Sequence, residues 1–156
     1  MLGRDYPGQN CSIARALEVV GERWTLLLLR DAFLGVKRFE HFQRRLELAP
    51  NVLARRLRTL TEAGLLERRV YQERPERHEY LLTERGKELF PTLLALMAWG
   101  DRHLAPRGAP AIVLHAGCGG EVDARAACQR CGQVVGADEA EWRLGPGARK
   151  RARSEA

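Results

Sequence analysis

Between residues 13 and 64 the apolar positions recur every three or four residues, the spacing of helices that pack by one face. Leu17 and Val20 give a short first stripe, Gly21 interrupts it, and Trp24, Leu27, Leu28 and Phe33 form a second. Phe39, Phe42 and Leu46 make a third. Pro50 then disfavours helical geometry at Ala49 and suits the first turn of a new helix. That helix is predicted from about residue 50 to 63, with Gly64 as its C-terminal cap.

Two helices of this size joined by a three- or four-residue turn have the sequence form of a helix-turn-helix. Projected at about 100° per residue, Leu53, Leu57 and Leu60 fall on one side of the second helix. Asn51, Arg55 and Arg58, with Glu62 a turn further on, fall on the other. An arginine can grip guanine O6 and N7 with two hydrogen bonds, and an asparagine can do the same for adenine. The outward face is therefore that of a recognition helix in a major groove. After Gly64 the pattern turns extended: residues 65–72 and 78–82 read as strands joined by Glu73-Arg74-Pro75-Glu76-Arg77. A hairpin placed there is a wing, with Arg74 and Arg77 in reach of phosphates or the minor groove. Thr83 reads as the N-cap of a long helix with Leu89, Leu93, Leu96 and Met97 in a stripe, Phe90 and Leu94 beside it, and a kink at Pro91. The stripe is wider than one small winged domain needs, so part of it is assigned to a dimer interface; packing on its own domain is the alternative.

Charge sharpens this picture. The 156 residues carry a net charge of +6, and nearly all the basic residues are arginines, since only Lys37, Lys87 and Lys150 are lysines. Seven basic residues against Glu40 and Glu47 put +5 of that charge between Lys37 and Arg58. A charge run is often only a solvated face, but here it coincides with the predicted helix-turn-helix and favours a polyanionic partner. Arg38, Arg44, Arg45 and Arg56, with the wing arginines Arg74 and Arg77, are the expected phosphate contacts. With 45% apolar and 29% charged residues the composition is that of a soluble globular protein. The longest aliphatic run, residues 26–29, is far short of a membrane span, and the first ten residues hold no apolar stretch of a secretory signal. A cytosolic location is the default expectation.

The residues quoted above resemble the HxlR-type winged helix-turn-helix transcriptional regulators, relatives of the MarR class. The matching features are Cys11 before a short helix, Ile13-Ala14-Arg15-Ala16-Leu17, and the run Gly21-Glu22-Arg23-Trp24-Thr25 with Leu26 to Arg30. Gly35, Arg38-Phe39, Leu53-Ala54-Arg55-Arg56-Leu57-Arg58, Leu60 and Gly64-Leu65-Leu66 follow, then Glu79-Tyr80-Leu81-Leu82-Thr83, Gly86 and Trp99-Gly100. Together they cover roughly two-thirds of the chain. The resemblance implies a homodimer on a pseudo-palindromic double-stranded DNA operator, dimerised through helices outside the wing domain. It departs from the family at Ala49, where a serine is usual, which removes a hydroxyl cap and a phosphate contact and costs about 1 kcal/mol of helix stability. Asn51 stands where a longer polar residue is common. Some members sense oxidants or electrophiles through the N-terminal cysteine. Cys11 occupies that place at a helix N-terminus, where thiolate is favoured, with Arg15 one turn on. A cysteine that merely packs as a small hydrophobe is the alternative.

Residues 101–110 lose periodicity and read as a linker. Beyond it stand His115-x2-Cys118-Gly119 and Cys128-x2-Cys131-Gly132, with nine residues between Cys118 and Cys128. Two such pairs supply the four ligands of a tetrahedral zinc, and a glycine after each lets the turn close and backbone N–H groups approach sulfur. A ribbon this small cannot hold itself together by burial alone, so the expected zinc is structural; four protein ligands leave no open position for catalysis. The alternative is a metal-free Cys128/Cys131 thiol pair, though no βαβ context surrounds it. Glu121 and Asp123 read as solvated loop acids, and His41, His78 and His103 carry no functional expectation. The tail with Arg149-Lys150-Arg151-Ala152-Arg153 reads as disordered.

The sequence thus predicts a mainly α fold with a small β-wing: a winged helix-turn-helix over residues 8–104, a zinc-ribbon-like segment over 111–138 and a basic tail over 139–156. The expected function is a cytosolic, dimeric transcriptional regulator, a repressor by promoter occlusion, with an oxidant or small molecule as effector and no enzymatic activity. Two other readings stay open: a protein-interaction scaffold built on the winged domain and ribbon, and a thiol–disulfide oxidoreductase at Cys128/Cys131.

Overall fold

The computed structural model describes residues 6–149. The chain divides into two compact units, one ending at Glu88 and the other starting at Leu89. In the first unit four helices, α1 (Ser12–Val20), α2 (Thr25–Phe33), α3 (Phe39–Leu46) and α4 (Pro50–Glu62), precede an antiparallel hairpin of β1 (Leu66–Glu73) and β2 (Glu76–Leu82) and a single turn, α5 (Glu84–Lys87). The order is that of a winged helix-turn-helix.

The core of this unit is leucine-rich. Leu28 and Leu29 of α2, Phe42 and Leu46 of α3, and Leu53, Leu57 and Leu60 of α4 are all buried, as are Leu65 and Leu66 leading into the wing. The α4 face is the one its periodicity predicts. In α2 the buried positions are instead Thr25, Leu28, Leu29 and Asp31, while Trp24, Leu27 and Phe33 stay half-buried. Glu47 closes α3 with a left-handed φ of 53°, and Ala49 enters α4 extended, with no side-chain cap and Pro50 in the first turn. Gly64 takes a φ of +71° just past α4, and the Leu65 N–H returns to the Leu60 carbonyl, a pattern that satisfies a free helix-end carbonyl.

Thr83 caps α5 rather than a long helix. Its Oγ1 accepts from the Gly86 N–H at 3.0 Å and donates to the Gly64 carbonyl at 2.6 Å, tying α5 to the end of α4. The long helix α6 (Phe90–Leu104) starts afresh, with Pro91 in its first turn. Pro91 therefore separates two helices where a kink was expected, because a proline without an N–H fits a helix start better than an interior.

In the second unit α6 is followed by β3 (Ala111–His115) and β4 (Ala140–Leu144), paired antiparallel with Val113 opposite Trp142. Phe90 packs edge-on to Trp142 at 6.4 Å. Three expectations change here. The division falls before α6, and residues 101–104 belong to that helix, so the linker is shorter than predicted. The ribbon also extends past residue 138: residues 140–144 are a strand, not tail, and pair with β3. Residues 150–156, with most of the basic tail, lie outside the described residues. Among the described residues no helix is long and apolar enough to cross a membrane.

Candidate nucleic-acid interface and metal centre

Helix α4 presents Asn51, Arg55, Arg58 and Glu62 to solvent, directly opposite its buried leucines. Arg55 and Arg58 enter no ion pair among the described residues. Asn51 Oδ1 accepts the Val52 N–H at 2.9 Å, supplying at the helix start an acceptor that Ala49 lacks. Arg44 is exposed on α3, and Arg74 and Arg77 are exposed at the wing tip. The tip is tighter than predicted, a turn of Arg74 and Pro75 between Glu73 and Glu76. Arg38 lies over the Tyr71 ring at 4.5 Å, which holds its guanidinium at the base of the wing.

Two of the six arginines expected on phosphates have other partners. Arg45 directs its Nε to Asp31 Oδ2 at 3.1 Å, and Arg30 reaches the same carboxylate at 2.8 Å; Asp31 is fully buried. Its charge is compensated by two guanidinium groups, as a buried carboxylate requires. Arg56 lies 3.0 Å from Glu22 Oε1, with its side chain only 12% exposed. Both guanidinium groups therefore have an intramolecular partner, an acid earlier in the chain that helical projection of α3 and α4 alone does not reveal. Asp31, the single acid in the apolar run 24–34, was the available signal for the first.

Cys11 is exposed and is the N-cap residue of α1, whose helix contains no buried residue. Arg15 donates to Asn10 Oδ1 at 3.2 Å. Ile13 and Leu17 on α1, and Leu96 and Trp99 on α6, are large apolar side chains left exposed, Ile13 by 70% and Trp99 by 54%.

In the second unit the four predicted ligands converge. His115, Cys118, Cys128 and Cys131 place their ligand atoms within 4.8 Å of one another. Cys118 Sγ lies 3.4 Å from His115 Nδ1 and 3.4 Å from Cys128 Sγ, and Cys131 Sγ lies 3.3 Å from His115 Nδ1. A zinc about 2.3 Å from each sulfur and about 2.0 Å from nitrogen sets tetrahedral edges of roughly 3.5–3.8 Å, so these three separations fall just inside that size and the donor set is one that zinc takes. Gly119 and Gly132 take φ of +71° and +75° immediately after each pair, as the knuckle requires. The Cys131 backbone N–H, helped by that of Arg130 and by the Cys118 and His115 side chains, draws the Cys128 thiol down to about 6 against its burial. The Gly120 N–H pulls the Cys118 thiol down as well, but the neighbouring Cys128, burial and Cys131 together push it up.

Residues outside the ligand set shape this centre. Arg130 Nη1 donates to the Cys118 carbonyl at 2.6 Å and links the two knuckles. A Cβ on Gly120 would sit 2.6 Å from Cys128 Sγ, so only glycine lets the chain pass that sulfur. Asp123 is not a free loop acid: its Oδ1 accepts the Ala127 N–H at 3.0 Å and the Arg125 N–H at 2.9 Å, which shapes the loop between the knuckles. These bonds, the Ala127 N–H first, hold its carboxyl below the usual range. Sequence spacing singled out the four residues of the cluster but not these three, whose roles depend on the folded loop.

Comparison with known proteins decides what this architecture belongs to. Residues 19–107 match the HxlR-like helix-turn-helix family. The chain belongs to that family. An HTH-type transcriptional regulator of Mycobacterium tuberculosis is 48% identical over 137 residues, which cover 87% of each chain. Among solved structures, PA1607, described as a candidate transcription factor, is similar with a TM-score of 0.67 and 37% identity, over 85% of this chain and 93% of its own. The redox regulator HypR in its oxidized form is similar with a TM-score of 0.56 and 34% identity, over 60% of this chain and 97% of its own. Membership in the HxlR-like family makes the chain a DNA-binding helix-turn-helix transcriptional regulator, not an enzyme, and the resemblance drawn from Gly21 through Trp99 is borne out.

Proposed function

We propose that this HxlR-like protein binds a pseudo-palindromic operator as a homodimer, with α4 of each protomer in a major groove. Asn51, Arg55 and Arg58 read base edges; Arg38, Arg44, Arg74 and Arg77 hold phosphates or enter the minor groove. The observation that carries this reading is the exposed amide-and-guanidinium face of α4 backed by Leu53, Leu57 and Leu60, of which none is more than 1% exposed. The exposed apolar side chains of α1 and α6 support the dimer, which sets two half-sites about 34 Å apart. Occlusion of a promoter makes the protein a repressor. His115, Cys118, Cys128 and Cys131 hold a structural zinc that supplies fold stability to the ribbon and no catalytic chemistry. Redox control through the exposed Cys11 is the proposed regulation, supported by the likeness to a protein named as a redox regulator.

Selection from a random duplex pool with the full-length protein tests the reading. The expected result is an enriched inverted repeat whose binding is lost in Arg55→Ala/Arg58→Ala. Salt-sensitive binding without an enriched sequence would reduce α4 to a basic surface and overturn it.

A further inference from the structure

We infer that Glu22 and Arg56 are positioning residues for DNA readout: their ion pair fixes the rotation of α4 so that Asn51, Arg55 and Arg58 are presented together. The inference rests on the reading of α4 as the DNA-facing helix. Arg56 follows Arg55 in sequence but lies about 100° round the helix, at the edge of the leucine face. There its Nη2 is 3.0 Å from Glu22 Oε1. Glu22 uses both oxygens, because Oε2 accepts the Trp24 N–H at 2.9 Å, just before α2 begins. The carboxylate thus joins the α1–α2 junction to the flank of α4.

That link adds a directional restraint on the flank of α4, where its packing is apolar. Leu53, Leu57 and Leu60 bury α4 through apolar contact, which is strong but non-directional. A roll of about 20° displaces a side-chain tip some 6 Å from the axis by about 2 Å. Such a displacement exceeds what a bidentate base contact tolerates. A charge-assisted pair with Arg56 only 12% exposed has the direction and the desolvation to resist the roll.

The pair also gives an effect of unexpected sign. Removing an acid from a DNA-binding surface ordinarily tightens binding, because it removes repulsion of phosphates. Positioning predicts the reverse for Glu22→Gln, whose amide oxygen still accepts the Trp24 N–H. The test measures binding of full-length protein to the duplex recovered by selection and to a scrambled duplex, across a salt series. Glu22→Gln and Arg56→Gln are each expected to bind the selected duplex about five- to tenfold more weakly. The double variant should be no weaker than the weaker single one. Affinity for the scrambled duplex and the slope of log K against log salt should not change, results that general destabilisation would not produce. Arg56→Lys keeps a cation against Glu22 and should stay within about threefold of the native protein; it serves also if Arg56→Gln does not fold.

Unchanged or tighter binding by Glu22→Gln overturns the inference. So does additivity of the two changes, or a salt slope lowered by about 0.9 in Arg56→Gln, which would mark Arg56 as a phosphate contact. Arg55→Ala/Arg58→Ala separates the two levels of the argument. If that variant loses the selected duplex while Glu22→Gln does not, only positioning fails. If it keeps the duplex, the reading of α4 fails and takes the positioning role with it.

Discussion

Gly120→Ala should damage the metal centre without touching a ligand. The added Cβ would lie 2.6 Å from Cys128 Sγ, 2.5 Å from Arg130 Cβ and 3.2 Å from the Arg130 N atom. Carbon and sulfur in ordinary contact stand at roughly 3.5–4.0 Å, so the sulfur or the Gly120 backbone must move by about 1 Å. Neither has room: Cys128 is 2% exposed, and Gly120 is fixed by the His115 N–H on its carbonyl at 2.8 Å. Ligand distances tolerate about 0.2 Å, so a shift of this size takes Cys128 out of tetrahedral reach. The expected loss is at least tenfold in zinc affinity, the size of effect known for residues just outside a ligand set. A strain of about 1–3 kcal/mol in the metal-free protein should accompany it. Competition against a chromophoric chelator at neutral pH measures the first, and denaturant unfolding with excess chelator measures the second. Gly136→Ala is the control, because its Cβ meets nothing closer than 3.6 Å. Native zinc affinity in Gly120→Ala, with unchanged affinity in the control, would refute the packing argument.

Three further outcomes follow from other parts of the molecule. Gly86→Ala places a Cβ 2.2 Å from the Leu65 carbonyl oxygen, so denaturant unfolding should show a loss of about 1–3 kcal/mol; an unchanged midpoint would mean that α5 can move freely off the wing. Asp123 has its folded-state carboxyl held below the ordinary 3.8, so its contribution is full above that value and is lost as pH falls through the folded value. Acid unfolding should therefore begin at higher pH in Asp123→Ala, and superimposable acid transitions would dismiss the loop-shaping role. Trp99→Glu puts a charge on an exposed apolar position of α6. Sedimentation should show a shift from dimer to monomer with weaker binding of the selected duplex, and a variant that stays dimeric would move the interface away from α6.

How far the sequence reached depended on the range of each interaction. Leu53, Leu57 and Leu60 lie one helical turn apart, and the same periodicity that buries them sends Asn51, Arg55 and Arg58 outward. No distant residue is needed to read that division. The ligand pairs were legible for a related reason: two residues between ligands, then a glycine, is a local geometry that a knuckle imposes on its own few residues. The ion pairs of Arg45 and Arg56 were not legible because they depend on Asp31, fourteen residues away, and on Glu22, thirty-four residues away, neither of which shares their helix. Chain-local reasoning sees a run of positive charge there and sends all of it to the solvent face.

The strand at Ala140–Leu144 makes the same point for backbone. Its five residues look like the start of a charged tail, and they become a strand only because β3, some twenty-five residues earlier, offers a ladder for Trp142 to face Val113. The amino-acid sequence by itself determined the helical periodicity, the helix-turn-helix with its wing, the basic outward face and the spacing of the four residues that could hold a metal ion. Tertiary structure alone decided which arginines face solvent and which answer a buried acid, where the second unit begins, and which glycine clears the Cys128 sulfur. Periodicity and ligand spacing are properties of neighbouring residues, whereas charge pairing, strand pairing and close packing exist only once the chain has closed on itself.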